Sequence, residues 1–257
     1  MQEQTDLERA PRARLDGQVA VIAGGTGAIG RASAKRFAAL GAHVVLLHRG
    51  KEAAARDFLA TLPGSHDQVI ASITDSAQLK SAAESVRARF GRTDILVNSA
   101  GFTKPVPAAD LDALTDELID EIFAANWRGV FATIRAFHPM LRESNDGLVV
   151  NVSSIAGFTG VGSNLAYAAA KAGIDVLGRS LARSLAPAVR VLTVSPGVVD
   201  SSFVPGRGPD FNQKTSATMP LKRIGTPEDV AAAIEACATT LRFSTGNIIV
   251  VDGGRSL

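Results

Sequence analysis

The chain has 257 residues, 46% hydrophobic and 20% charged, which suits one globular domain and excludes a disordered or collagen-like chain. Its formal net charge of +2 argues against a polybasic nucleic-acid binder. A lone cysteine, Cys237, excludes an intrachain disulfide and a cysteine metal cluster, and the four histidines lack zinc-protease spacing. We therefore expect no metal site, and the only tyrosine, Tyr167, becomes the side chain to follow.

Residues 1–16 mix both charge signs without an apolar run, which predicts a flexible arm and not a signal peptide. No segment reaches the ~18 uninterrupted apolar residues of a membrane span. We expect a soluble, cytoplasmic protein with no membrane or nucleic-acid partner.

Residues 17–257 alternate short β-branched apolar runs with longer stretches rich in Ala, Leu, Arg and Glu. The runs predict strands buried on both faces of a parallel sheet, at Val19–Ala23, Val44–Leu47, Gln68–Ala71, Ile95–Val97, Leu148–Val152, Val189–Val194 and Ile248–Val251. The stretches predict helices near 29–40, 51–61, 76–90, 111–142, 165–186 and 227–241. This order predicts a single α/β domain, a doubly wound parallel sheet of about seven strands with helices on both faces. Residues 200–220, with three prolines and two glycines, predict a substrate loop.

A glycine-rich turn follows the first strand and precedes the first helix. Glycines at such a turn let the backbone approach a pyrophosphate, which the helix N–H groups then bind. The alternative is a turn that only packs strand against helix. The position between strand and helix favours dinucleotide binding by Gly24, Gly25, Thr26, Gly27, Ile29 and Gly30.

The end of the second strand selects between the two nicotinamide dinucleotides. A carboxylate there would bind the ribose 2′-hydroxyl of NAD, whereas an arginine suits the 2′-phosphate of NADP. The sequence has His48 and Arg49 and no carboxylate until Glu52, and Arg31 adds positive charge nearby. A solvated Arg49 is the alternative, and we predict NADP(H) over NAD(H).

Tyr167 and Lys171 are four residues apart in a predicted helix, which places them on one face. A neighbouring ammonium favours the phenolate, so Lys171 is expected to bring the pKa of Tyr167 toward the working range. A surface contact is the alternative reading of this spacing. The preceding strand, which ends at Asn151-Val-Ser-Ser154, brings hydroxyls to the edge where such sheets bind ligands.

Together these motifs resemble the short-chain dehydrogenases/reductases over residues 17–255. The segments that match in order are the glycine turn, Asn98-Ser-Ala100-Gly101, Asn126, Ser154 thirteen residues before Tyr167, Tyr167-x-x-x-Lys171, Ser195-Pro196-Gly197-Val-Val199-Asp-Ser201 and the segment from Ser244 to Gly254. The sequence departs from the family pattern at Ala23, Ala28, Ser72 and Ser99; Ser72 stands where the family commonly has an Asp that orients adenine, and Ser99 stands where it has a second Asn.

The resemblance implies a Rossmann-type fold and hydride transfer between a nicotinamide and a carbonyl or alcohol carbon. It implies that Tyr167 transfers the proton, Lys171 holds the nicotinamide ribose, and Ser154 stabilises the alkoxide. Asn126, which it places at the start of the fifth helix, would hold a water connecting Lys171 to solvent. The residues themselves also allow a turn role for Ser154 and a helix cap for Asn126. Further cofactor contacts would come from Asn98, Ala100, Gly101, Pro196, Gly197, Val199 and Ser201.

Three functions compete at this point. The preferred one is an NADP(H)-dependent reductase of a small-molecule ketone, similar to the 3-oxoacyl-carrier-protein reductases. The second is a secondary-alcohol, sugar or polyol dehydrogenase, and the third is a non-catalytic dinucleotide-sensing scaffold. Arg207 and Lys214 are available for an acidic substrate. The resemblance also implies a homotetramer formed through the helices near 111–142 and 165–186.

Overall fold

A seven-stranded parallel sheet forms the centre of the molecule, in a computed structural model that describes residues 12–257. Its strands are β1 Val19–Ala23, β2 His43–His48, β3 Asp67–Ile70, β4 Ile95–Asn98, β5 Gly147–Val152, β6 Val189–Pro196 and β7 Ile248–Val251. The spatial order is β3-β2-β1-β4-β5-β6-β7. The chain therefore builds outward from β1 in one direction, then returns to β4 and builds in the other. A crevice opens where the order reverses, at the carboxyl ends of β1 and β4.

Helices connect the strands and cover both faces of the sheet. They are α1 Ala28–Ala39, α2 Glu52–Leu59, α3 Ser76–Phe90, α4 Asp116–Phe123, α5 Gly129–Glu143, α6 Ala156–Thr159, α7 Leu165–Leu185, α8 Phe211–Thr218 and α9 Pro227–Thr239. A π-helical segment, Ala124–Arg128, joins α4 to α5. The prediction of a single-domain α/β fold with a doubly wound parallel sheet is confirmed.

The core lies on both faces of the central strands because their residues are apolar without alternation. Ile22 and Leu46 pack on one face with Phe37 of α1. Val21 and Val45, one position along, pack on the other face with residues of α3 and α5. Alternate residues of one strand thus point into different layers, as the period of two requires.

Several predicted boundaries change in the structure. The helix predicted over 111–142 begins only at Asp116, where the Thr115 hydroxyl accepts a hydrogen bond from the Leu118 N–H, and it contains the π-helical segment. The loop predicted over 200–220 contains α8. Residues 1–11 of the predicted arm lie outside the described residues; of residues 12–16, Leu15 packs into the domain at 1% exposure, while residues 13, 14 and 16 are exposed. Within residues 12–257, no helix combines the length and apolar character needed to cross a bilayer.

Candidate active site

A cavity of about 490 Å³ opens at the carboxyl edge of the sheet. It is lined by the ends of β5 and β6, by the loop after β4, by α7 and by the segment leading into α8. Three of the four predicted catalytic residues, Ser154, Tyr167 and Lys171, line it together. So do the predicted cofactor contacts Ile29, Ala100, Gly101, Pro196, Gly197, Val199 and Ser201.

Helix α7 fixes the tyrosine and the lysine. Asn164 caps this helix by accepting a hydrogen bond from the Tyr167 N–H at 2.7 Å, and its amide donates to the Lys104 carbonyl at 2.8 Å. The Lys171 Nζ lies 5.6 Å from the centre of the Tyr167 ring and donates to the Val152 carbonyl at 2.8 Å. Tyr167 is 9% exposed and Lys171 is 4% exposed, so the pair is not a surface contact.

Ser154 lies two residues past β5 and lines the cavity with Tyr167, whose pKa the Ser154 hydroxyl lowers. Its hydroxyl also accepts a bond from the Ala156 N–H at 3.2 Å, at the start of α6. The side chain therefore has both a local turn role and a place in the cavity with the tyrosine.

Burial controls the acid–base properties of this group of residues. Desolvation raises the pKa of Tyr167 to about 12, while the Ser154 hydroxyl and the positive charge of Arg207 offset only part of that shift. Desolvation also lowers the pKa of Lys171 to about 8, with the nearby Asp175 acting in the opposite sense. The pKa of Tyr167 thus moves opposite to the direction expected from Lys171 alone, because loss of water outweighs nearby charge. At neutral pH the group in the cavity is a phenol.

The Asn126 side chain does not line the cavity, and the residue does not begin a helix. It lies in the π-helical segment and is 0% exposed. Its amide donates to the Ile122 carbonyl one turn earlier, at 2.9 Å, and to the Phe102 carbonyl at 2.6 Å. A side chain that takes a backbone carbonyl competes with the regular helical bonds, which explains the π-turn here. Asn126 therefore anchors the loop after β4, and the expectation that it begins the fifth helix is wrong.

The glycine turn packs tightly against its surroundings. Gly24 has φ +78°, and a Cβ there would lie 2.6 Å from the Ala100 backbone nitrogen. A Cβ at Gly25 would lie 2.7 Å from the Leu46 side chain, and one at Gly30 would collide with the Gly24 carbonyl. Gly27 precedes α1 without a side-chain cap, and the first turn of α1 has no acidic residue. The turn thus packs strand against helix and also leaves the N-terminus of α1 open to an anion, which fits a dinucleotide pyrophosphate.

The residues after β2 divide into one buried and one exposed side chain. His48 is buried, and its imidazole pairs with the Gln68 side chain at 2.8 Å and with the Lys51 N–H at 3.2 Å. Arg49 is exposed. Arg31 in α1 stacks on the Phe58 ring at 4.2 Å, which holds a second guanidinium in place. The two arginines are therefore the side chains placed to bind an anionic ligand at the strand end.

Two departures from the family pattern have local partners. The Ser99 hydroxyl donates to the Ala23 carbonyl at 2.8 Å and so ties the end of β1 to the loop after β4. The Ser72 hydroxyl forms a hydrogen bond with the Thr74 hydroxyl at 2.8 Å.

The predicted cofactor residue Asn98 has a half-satisfied side chain. Its amide nitrogen donates to the Asn151 side-chain oxygen at 2.9 Å, whereas its side-chain oxygen, Oδ1, has no hydrogen-bond partner within residues 12–257.

The segment after β6 supplies the wall opposite the catalytic residues. The Phe203 ring lies 6.1 Å from the Tyr167 ring, and Arg207 lines the cavity beside it. Lys214 of α8 pairs instead with Asp210 and does not line the cavity. Phe211 and Arg255 also line the cavity. Sequence reasoning missed both, since α8 was not predicted and no motif indicates Arg255.

Known proteins resemble this chain along almost its whole length. A family model described as enoyl-(acyl carrier protein) reductase matches residues 23–256. A relative from Streptomyces violaceoruber, named as ketoacyl reductase 2 of the granaticin polyketide synthase, is 36% identical over 98% of this chain and 99% of its own. The 3-oxoacyl-acyl-carrier-protein reductase of Thermotoga maritima is 34% identical over 94% of this chain and 98% of its own.

Solved structures show the same architecture. A short-chain dehydrogenase/reductase of the glucose/ribitol dehydrogenase type from Brucella melitensis superposes with a TM-score of 0.87 at 30% identity, over 95% of this chain and 98% of that one. Levodione reductase superposes with a TM-score of 0.86 at 27% identity, over 95% and 99% of the two chains.

Proposed function

The chain belongs to the short-chain dehydrogenase/reductase family of oxidoreductases, and on that premise we propose that it is an NADP(H)-dependent reductase of a ketone, of the 3-oxoacyl type. One observation carries this proposal: a buried phenol, Tyr167, lies beside Lys171 and lines an open cavity together with Ser154. The names of the relatives, a ketoacyl reductase and a 3-oxoacyl reductase, support the reductive direction.

The chemistry of the three side chains suits carbonyl reduction. A phenol whose pKa is about 12 is protonated at neutral pH, so the Tyr167 hydroxyl can donate its proton to a carbonyl oxygen. The Ser154 hydroxyl, on the same cavity, would donate to the developing alkoxide. Lys171, whose pKa of about 8 lies near neutrality, can exchange its own proton close to Tyr167.

The residues present also fit a nicotinamide dinucleotide. The open N-terminus of α1 would hold the pyrophosphate, and the end of β6 with the loop after β4 would flank the nicotinamide ribose near Lys171. When bound, this cofactor supplies the hydride. The 2′-phosphate of NADP would be held by Arg49, with Arg31 beside it.

Cofactor choice has its own test. Arg49→Asp places a carboxylate where a 2′-phosphate would bind, so the ratio of kcat/KM for NADPH over NADH should fall by about tenfold or more. Arg56→Asp, a charge change at an exposed position on α2, serves as the control. An unaltered ratio in Arg49→Asp would show that Arg49 does not read the phosphate.

The reaction itself is tested with a panel of ketones and secondary alcohols, each offered with NADPH and NADP⁺ or with NADH and NAD⁺. Oxidation or reduction is followed at the nicotinamide absorbance band. The proposal is supported if ketones are reduced faster with NADPH than with NADH, and faster than the alcohols are oxidised. Exclusive oxidation of sugars or polyols would favour the dehydrogenase alternative, and dinucleotide binding without turnover would favour the sensing scaffold.

We also propose a homotetramer. Val176 on α7 is 60% exposed and Phe123 at the end of α4 is 37% exposed, which leaves apolar surface on the two predicted interface regions. Val130, Ile134 and Phe137 of the same predicted interface are buried in the core, so they cannot contribute. Light scattering at micromolar concentration should give four times the chain mass, and a monomeric mass would contradict the proposal.

A further inference from the structure

The charge balance of the cavity is one-sided. Among the residues that line it, Lys171, Arg207 and Arg255 are cationic, and no aspartate or glutamate of residues 12–257 joins them. Lys171 donates one hydrogen bond to the Val152 carbonyl and belongs to the catalytic group beside Tyr167. The walls around Arg207 are mostly apolar, formed by side chains such as Phe203, Val204 and Pro205. Cations in an apolar wall select for an anionic ligand, since an unpaired charge in such a place is unfavourable.

Arg207 is held in position but is not neutralised. Its Nη1 donates to the Val199 carbonyl at 2.9 Å, and its guanidinium stacks on the Phe211 ring at 4.6 Å. Its Nε is buried without a hydrogen-bond partner in residues 12–257, and no carboxylate of that range lies within 4.0 Å of the group. The negative charge of Asp200 attracts the Arg207 guanidinium from a greater distance. The Asp200 carboxylate itself accepts a hydrogen bond from the Asn212 side chain at 2.9 Å.

The same guanidinium is close to the reacting end of the cavity. Its charge acts on Tyr167, and the Phe203 ring packs against Tyr167 from the same segment. An anion that binds Arg207 would therefore lie close to the carbonyl that receives the Tyr167 proton. Lys214, the other basic residue of this segment, is satisfied by Asp210 and lies off the cavity.

We propose that Arg207 is the carboxylate-binding residue of this site, and that the substrate is a free oxo acid whose carboxylate lies one or two carbons from the reacting ketone. This inference rests on the proposed ketone reductase function, and it replaces the 3-oxoacyl ester or thioester by a free oxo acid as the substrate class. A carboxylate accepts charge-assisted bonds from the guanidinium, whereas an ester or a thioester carbonyl of the same skeleton provides only a neutral acceptor.

Matched acid and ester pairs test the inference directly. Acetoacetate with methyl acetoacetate, and pyruvate with methyl pyruvate, are compared by kcat/KM at neutral pH with excess NADPH. The native protein should prefer the acid of at least one pair by about tenfold or more, the factor expected for one charge-assisted contact. Arg207→Met keeps an apolar stem over Phe211 and removes the charge. It should abolish this preference mainly by raising KM for the acid, with the ester changed less than about threefold.

Two further variants separate binding from misfolding. Arg207→Lys retains the charge and should recover part of the acid preference, while Arg142→Met, at an exposed position near the end of α5, should leave the native ratio unchanged. A second readout does not depend on turnover. With saturating NADP⁺, saturation-transfer NMR should detect binding of the acid to the native protein and not to Arg207→Met.

The outcomes are distinguishable. Equal or better use of the esters, or an acid preference that survives Arg207→Met, would overturn the inference and leave the reductase function standing. A protein that reduces simple ketones but none of these acids would do the same. If no carbonyl compound is reduced with either dinucleotide, the proposed function fails, and the NMR measurement still tests the inference. Acid binding that is present in the native protein and lost in Arg207→Met supports a carboxylate site. No acid binding to the native protein overturns that site.

Discussion

The buried ammonium of Lys171 makes a quantitative prediction about stability. Its pKa in the folded protein is about 8, against 10.5 for the ordinary group, because burial removes water from the charged form. Between these values the unfolded chain binds the proton more tightly than the folded one. Stability is therefore retained above pH 10.5 and is lost as pH falls toward 8. Integration of this shift gives a gain of about 2–3 kcal/mol in unfolding free energy between neutral pH and about pH 10.

Lys171→Met removes this titration. The variant also loses the 2.8 Å hydrogen bond to the Val152 carbonyl, which changes its stability by the same amount at every pH. The change of stability with pH therefore reports on the ammonium alone. The difference between native and variant unfolding free energies should thus change by about 2–3 kcal/mol over that pH range.

Guanidinium chloride unfolding at fixed protein concentration measures this difference. Trp127, the only tryptophan, contacts α7 beside Gly173 and reports the transition by fluorescence. Lys35→Met, at an exposed position on α1, is the matched control, and its curve should run parallel to that of the native protein. If Lys171→Met also runs parallel, the reasoning about the buried ammonium is refuted.

Three further predictions concern the cap, the glycine turn and the phenol. Asn164→Ala removes the cap of α7 and the hydrogen bond to the Lys104 carbonyl, and should lower the unfolding free energy by about 2 kcal/mol. Urea unfolding measures this loss, and a loss below about 0.5 kcal/mol would contradict the capping role. Gly24→Ala should lower the unfolding free energy by about 3 kcal/mol or more through the clash with Ala100. Gly50→Ala, at a position with φ +74° and open space around it, should lower it by about 1 kcal/mol. Equal losses in the two variants would argue against the close approach of Gly24 to Ala100. Since burial raises its pKa to about 12, Tyr167 should be no more than about one-tenth ionised while the protein stays folded up to about pH 11. Near-ultraviolet absorbance checks this, and ionisation centred near pH 10 with native circular dichroism would contradict it.

The alternation of short apolar runs with stretches of helical composition was enough to predict the sheet. The strand predicted at Val19–Ala23 has those bounds in the structure, because a β-branched run between turn residues has few other stable conformations. Where tertiary contacts decide, prediction failed. Asn126 donates to the Phe102 carbonyl only because the loop after β4 lies against it. Helix α8 was missed for a different reason: none of its residues is buried, so its sequence carries no apolar face from which a helix could be predicted.

The site was predictable in its residue types but not in its energetics. Spacing placed Tyr167 and Lys171 on one face of a helix, as the structure has them. Spacing carries no information on burial, so the upward shift of the Tyr167 pKa was not foreseen. Likewise Arg207 and Lys214 are equivalent in sequence, and only the structure separates the cation in the cavity from the one paired with Asp210.

Replacement of the single tyrosine tests the central claim most directly. Tyr167→Phe removes the phenol hydroxyl from a ring that otherwise keeps its packing against Phe203. Ketone reduction with NADPH, followed at the nicotinamide band, should fall by about 10²–10⁴-fold in kcat, with the Kd for NADPH nearly unchanged. Phe203→Leu, which alters an apolar wall and leaves the hydroxyl in place, should produce a much smaller loss. Turnover by Tyr167→Phe at the native rate would contradict the account.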